Sequence, residues 1–127
     1  MFFLRVLLLP FAFLYGLITK IRNLLFDFGV FTSKEYQTKS ISVGNITVGG
    51  TGKSPHIEYL INLLNEDFKL ATLSRGYQRK TKGYLVADEK STYAEIGDEP
   101  MQFHTKFKRV TTVVDENRQR GIENIEK

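Results

Sequence analysis

The stretch Ser42-Val43-Gly44-Asn45-Ile46-Thr47-Val48-Gly49-Gly50-Thr51-Gly52-Lys53-Ser54-Pro55 decides the reading of this chain. A β-branched run, Ile41 to Ile46, leads into a glycine-rich loop that closes with Gly-Lys-Ser. An apolar-periodic segment follows. The order strand, glycine loop, Lys-Ser, helix is the order a triphosphate site needs. Glycines let backbone N–H groups turn inward around phosphate oxygens, and the next helix adds the positive end of its dipole. In such a loop Lys53 reaches the β- and γ-phosphates and the Ser54 hydroxyl ligates Mg²⁺. Gly49, Gly50, Thr51 and Gly52 supply the backbone cradle. The strict pattern asks for glycine where Thr47 stands, a departure that Gly49 and Gly50 offset in flexibility. A plain glycine turn with a solvated lysine explains the glycines alone. It does not explain Lys53-Ser54 between a strand and a helix. Pro55 falls in the first helical turn, where its missing N–H costs least.

Working outward, 127 residues suffice for one domain with a core, and 42% apolar against 25% charged residues marks a folded chain. The absence of cysteine excludes disulfides and thiolate-ligated metal and fits a reducing compartment. A net charge of +4 favours anionic partners such as nucleotide or a phospholipid surface. No interleaved aromatic-basic stripe points to nucleic acid, so no nucleic-acid partner is expected.

Residues 1–31 differ from the rest. Val6 to Thr19 carries no charge and is rich in Leu and Phe. Leu14, Leu17, Ile18, Ile21, Leu24, Leu25 and Phe28 then recur with helical spacing between Lys20, Arg22, Asn23 and Asp27. The simplest reading is a membrane-associated helix with an apolar tip that dips into the bilayer. A spanning helix would need about 20 apolar residues, which requires Met1 to Leu4 to insert as well. A core helix and a cleaved signal segment are the other readings, and no small-x-small cleavage site follows. Residues 32–39 are polar and read as a linker. Residues 40–127 read as the nucleotide-binding domain.

Within that domain His56 to Leu64 reads as a helix, Lys69 to Leu73 as a strand, and Tyr84 to Ala87 as a short strand. The basic run around Ser74-Arg75-Gly76-Tyr77 and Arg79 follows a strand end, where a parallel sheet presents ligand-binding groups; a solvated turn is the other reading. Ile96-Gly97-Asp98-Glu99-Pro100 precedes a helix over 100–107. Here two readings stand: one carboxylate caps the helix, or the pair is a base and a metal-associated carboxylate near the γ-phosphate. His104 reads as a packing or surface residue. Val110 to Val114 is a strand, Asp115 an N-cap, and Glu116 to Lys127 a charged helix with Arg118 and Arg120 in solvent. No further strand ending in an acid follows Val114. The alternation of strand and helix predicts an α/β fold: a P-loop NTPase-like parallel sheet with flanking helices, preceded by the apolar N-terminal helix.

Taken together, the apolar N-terminal helix, Val43 to Pro55, Leu73-Ser74-Arg75-Gly76-Tyr77 with Arg79, and Gly97-Asp98-Glu99-Pro100 resemble the tetraacyldisaccharide 4'-kinase family over essentially the whole chain. In that family threonine is usual at the position of Ser54, and Thr47 is no departure. The resemblance implies an ATP-dependent kinase on the cytoplasmic face of the bacterial inner membrane. It would phosphorylate the 4'-hydroxyl of the lipid A disaccharide 1-phosphate. It further implies Asp98 as catalytic base, Lys53 as stabiliser of the migrating phosphoryl group, and Ser54 with Glu99 as holders of Mg²⁺. Family members are much longer. They carry a later Asp-Asp-Gly-Phe-Gln-His-type segment and a histidine that supports the base. The resemblance therefore implies an N-terminal portion that is inactive alone. A membrane-associated P-loop ATPase or GTPase acting as a regulatory switch is the competing expectation, and Gly97 to Pro100 argues against it.

Overall fold

Two helices begin in the same way. In a computed structural model that describes residues 2–45 and 52–127, Gly52 and Gly97 are each the N-cap of a helix. Each is followed by two polar residues and a proline: Lys53-Ser54-Pro55 and Asp98-Glu99-Pro100. Both glycines have positive φ, +73° and +91°. Neither has a side chain to occupy the first N–H groups of its helix.

The chain divides into two compact units, Met1–Glu35 and Tyr36–Lys127. The first is built on one helix, α1 (Phe2–Asp27), which runs through Pro10. Its end is set by Gly29, in the left-handed region at φ +71°. The Gly29 N–H donates to the Phe26 carbonyl at 3.0 Å and the Val30 N–H to the Leu25 carbonyl at 2.9 Å, a double closure that satisfies carbonyls of the last turn. Leu8–Asp27 is long and apolar enough to cross a membrane, with a mean hydropathy of 1.3.

The second unit contains α2 (Lys53–Leu64), β1 (Ala71–Ser74), β2 (Leu85–Val86), α3 (Tyr93–Ile96), α4 (Asp98–Lys106), β3 (Thr111–Val114) and α5 (Arg118–Ile125). Strand β3 is central. It pairs parallel with β1, Ala71 opposite Thr111 through Ser74 opposite Val114, and antiparallel with β2. The α/β class with flanking helices is as the alternation predicts, but the sheet is mixed rather than all parallel, because β2 pairs antiparallel with β3. A turn after β2 is closed by Asp88, whose carboxylate accepts from the Lys90 N–H at 2.9 Å and the Ser91 hydroxyl at 3.0 Å.

Val113 and Val114 are wholly buried. Helices α2 and α4 meet over Ile61, Phe103, Phe107 and Val110, joined by Ile57 and Leu70. Burying an aliphatic or aromatic side chain of this size stabilises by about 1.5–3 kcal/mol, so this small cluster is the main cohesive term between the two helices. On the other side α5 packs closely on β1. A Cβ on Gly121 would meet both methyl groups of Leu73, at 2.7 and 2.8 Å.

Some expectations shift. Residues 41–45 form no strand, and Ile46 to Thr51 lie outside the described residues. A β-branched run becomes a strand only by pairing, and its composition does not supply the partner. Asp115 is not a cap. The N-cap of α5 is Asn117, whose side chain accepts from the Arg120 N–H, and the helix spans Arg118–Ile125 rather than residues 116–127. Nor does an acid cap α4: Gly97 does, and Asp98 and Glu99 occupy the first turn, where their charge favours the dipole.

Gly97 has ψ 165° with its positive φ, a region open essentially to glycine alone. Its missing Cβ also faces backbone, 2.9 Å from the Tyr77 carbonyl oxygen and 3.2 Å from the Gly76 carbonyl carbon. Gly97→Ala is expected to destabilise this unit by about 1–3 kcal/mol or more in urea unfolding. Gly44→Ala, with nothing within 4 Å of a Cβ, is expected to change little.

Candidate active site

Helices α2 and α4 lie side by side and run the same way, so their N-termini meet. The contacts between them climb in register. At the first turn the Ser54 hydroxyl donates to Glu99 Oε1 at 2.6 Å. One turn on, Glu58 accepts from Gln102 Nε2 at 2.8 Å and from Lys106 Nζ at 2.5 Å. The Lys106 ammonium first, and the Gln102 amide second, hold the Glu58 carboxyl below the usual carboxylate range. The hydrophobic cluster at Ile61, Phe103 and Phe107 continues the seam.

This seam brings the separately predicted site residues to one place. Ser54 and Glu99 are joined directly and are partly buried. Lys53 and Asp98 are the first residues of their helices, and both are exposed. Gly52 caps α2, and its carbonyl oxygen lies 2.7 Å from His56 Nδ1. Gly49, Gly50 and Thr51 lie outside the described residues. Two helix N-termini, each carrying about half a positive charge, converge on this spot with a lysine beside them. Free N–H groups and positive dipole ends are what an anion with several oxygens requires. A hydroxyl and a carboxylate oxygen in contact are hard donors of the kind Mg²⁺ takes, with water and phosphate completing the shell. Among the described residues no cluster of three His or acidic groups makes a self-contained metal cage.

The basic loop after β1 divides. Arg75 and Tyr77 are exposed. Arg79 turns inward, with a side chain only 3% exposed, and pairs with Glu116. Arg120 is exposed, as the sequence suggests, but it is paired: its Nε and Nη2 fork onto Asp115 at 2.9 and 2.7 Å. Asp115 directly follows β3, is wholly buried, and also accepts from the Asn117 N–H at 2.8 Å. The Arg120 guanidinium, above all, depresses the Asp115 carboxyl. His104 sits half-buried on α4. The charge cluster at the end of β3 and the Glu58 seam were not foreseen from sequence. Asp115 and Arg120 are five apart, a short spacing that reads from sequence as a cap and a solvated charge instead, whereas Arg79 and Glu116 are separated by 37 positions and carry no local signal.

Comparison with known proteins assigns the family. The profile of the family described as Tetraacyldisaccharide-1-P 4'-kinase matches residues 4–127. The chain belongs to that family. Among named members, the tetraacyldisaccharide 4'-kinase of Flavobacterium johnsoniae is 56% identical over 119 residues, 94% of this chain and 35% of that protein. The corresponding protein of Parabacteroides distasonis is 52% identical over 94% of this chain and 32% of its own length. The crystal structure of LpxK from Aquifex aeolicus in complex with ATP superposes with a TM-score of 0.77 at 42% identity, covering 98% of this chain and 41% of that one. The chain thus spans about a third of the length of the family members it matches.

Because the folded-state titration of Asp115 is depressed, its contribution to stability is complete above the unfolded carboxyl value, about 3.9. It is lost as pH falls through the lower folded value. Arg120→Ala strands a buried carboxylate and is expected to lower the thermal midpoint clearly at neutral pH, with the deficit shrinking below about pH 4. Arg118→Ala, at an exposed position, is expected to leave the midpoint and its acid dependence unchanged.

Proposed function

We propose that this protein is the nucleotide-binding portion of a tetraacyldisaccharide 4'-kinase, a phosphotransferase of lipid A biosynthesis. It transfers the γ-phosphoryl group of ATP to the 4'-hydroxyl of a tetraacyldisaccharide 1-phosphate, giving lipid IV A. Family membership supports the reaction class. The observation that carries the assignment to residues is the Ser54–Glu99 hydrogen bond, which joins the Gly-Lys-Ser end of α2 to the Gly-Asp-Glu end of α4.

In this reading the free N–H groups at the start of α2 and the loop before it cradle the phosphates. Lys53 neutralises charge on the transferring group. Ser54 and Glu99 hold Mg²⁺, which supplies charge neutralisation across the phosphates when bound. Asp98, first residue of α4, accepts the proton of the 4'-hydroxyl. The sugar oxygen bonds to the γ-phosphorus as the bond from that phosphorus to the β-bridging oxygen breaks, and ADP leaves. Little covalent work falls to the protein, because phosphoryl transfer is governed by alignment and electrostatics. A lipid acceptor gives α1 a purpose: its apolar length suits the inner-membrane surface that presents the substrate, with catalysis on the cytoplasmic, ATP-containing side.

The test is transfer of labelled γ-phosphate from ATP to the disaccharide 1-phosphate in detergent micelles, by the full-length kinase containing this sequence. Asp98→Asn is expected to lower turnover about 10²- to 10⁴-fold with little change in ATP affinity. Lys53→Ala is expected to lower it about 10²- to 10³-fold and to weaken ATP binding as well. Transfer unaffected by Asp98→Asn would remove Asp98 from the base role. Nucleotide hydrolysis without any lipid product would favour the regulatory switch.

A further inference from the structure

Arg79 belongs to a conspicuous basic stretch, yet its guanidinium is not offered to a ligand. Its side chain is 3% exposed and its Nη2 donates to the Gly83 carbonyl at 2.8 Å and to the Glu116 carboxylate. Glu116 in turn accepts the Gly83 N–H at 2.9 Å and Arg120 Nη2 at 3.0 Å. Arg120 forks onto the buried Asp115. Two guanidinium groups and two carboxylates therefore fasten the loop over 75–83 to the end of the central strand. The cluster is electrically balanced, and the backbone of Gly83 is held from both its N–H and its carbonyl.

The other side of the same loop presses on the approach to Asp98. The Lys80 N–H donates to the Ala94 carbonyl at 2.7 Å, and the Thr81 hydroxyl to the Glu95 carbonyl. The stem of Arg79 lies where a Cβ on Gly76 would be, and the Ile96 carbonyl oxygen is 2.8 Å from the same position. Gly97 in turn abuts the Tyr77 carbonyl oxygen and the Gly76 backbone. The loop is thus wedged between the buried end of β3 and the Ile96-Gly97 peptide, and Asp98 is the next residue.

We infer that Arg79 is a positioning residue: by bracing the loop over 76–83 against Glu116, it fixes the Gly97 backbone and hence the placement of Asp98. The inference rests on the reading of Asp98 as the base. A displacement of about 1 Å in a reacting group costs on the order of 10²-fold in rate, so a brace two contacts away from the chemistry matters. The same arrangement explains why two glycines with positive φ, at 76 and 97, face each other: backbone must touch backbone for the wedge to act.

The experiment is a double-mutant cycle in the full-length kinase, with single-turnover phosphoryl transfer and ATP binding measured for the parent, Arg79→Gln, Asp98→Asn and the double variant. Arg79→Gln is expected to lower the transfer rate about 10- to 100-fold while ATP affinity stays within about twofold. In the Asp98→Asn background the same substitution is expected to change the rate by less than about twofold, because the side chain it acts through is gone. A merely structural residue would instead lower both rates by the same factor. Losses that multiply in the double variant, or an Arg79→Gln rate equal to the parent's, overturn the inference while leaving the base assignment intact. No loss from Asp98→Asn alone sinks the base assignment and the inference with it. If Arg79→Gln fails to bind ATP or to unfold cooperatively, Glu116→Gln is carried through the same cycle. Its carboxylate is half-exposed, and the amide still accepts from Gly83, so the fold survives and the same two outcomes decide.

Discussion

The Ser54–Glu99 hydrogen bond is the contact on which the arrangement depends. It ties the N-terminal turns of two helices that start 45 residues apart, and it does so with the groups that also carry the oxygen donors. Without it two positive helix ends would lie side by side with like charge facing like charge. Glu99 offsets that repulsion, and the Glu58 pairing with Gln102 and Lys106 keeps the helices in register a turn further along. The apolar seam of Ile61, Phe103 and Phe107 then supplies most of the cohesion. Polar contacts set the alignment here, while burial supplies the energy. This division is common where a small core must carry a charged site.

The second constraint sits at the end of β3. Asp115 is wholly buried, so its charge survives only with a partner, and Arg120 provides a two-pronged one. From this anchored carboxylate the network spreads through Glu116 to Arg79 and Gly83. A short three-stranded sheet has little interior, and a loop that follows it would otherwise be free. The charge network converts that loop into part of the frame around Gly97. The same logic accounts for the glycines: Gly76 and Gly97 are where two backbone segments approach too closely for any side chain.

Much of this was legible in the sequence wherever the signal was local. Gly-Lys-Ser-Pro after a β-branched run and Gly-Asp-Glu-Pro before a periodic segment located both helices, which start two or three residues earlier than the periodicity suggests, at Lys53 and Asp98. The strands around Leu73 and Val113 followed from short apolar runs. What failed was non-local. The run from Ile41 has strand composition, yet residues 41–45 lie in no ladder, because pairing is decided by a partner elsewhere in the chain. Asp115 has the composition of a cap and is a buried ion-pair partner. Its burial depends on how β3 sits among its neighbours. Arg79 looked like a phosphate ligand or a solvated charge, and its partner Glu116 is too distant in sequence for spacing to suggest the pairing. The meeting of Ser54 with Glu99 could be expected only through the family resemblance, since nothing local links residue 54 to residue 99.

The most direct measurement is a crystal structure of the full-length protein with a non-hydrolysable ATP analogue and Mn²⁺ in place of Mg²⁺, the metal located by its anomalous scattering. The account predicts metal density bound by Ser54 Oγ and the Glu99 carboxylate, directly or through one water, with the γ-phosphate facing the starts of α2 and α4. A metal and γ-phosphate bound elsewhere, with the Ser54–Glu99 hydrogen bond still closed, would contradict it.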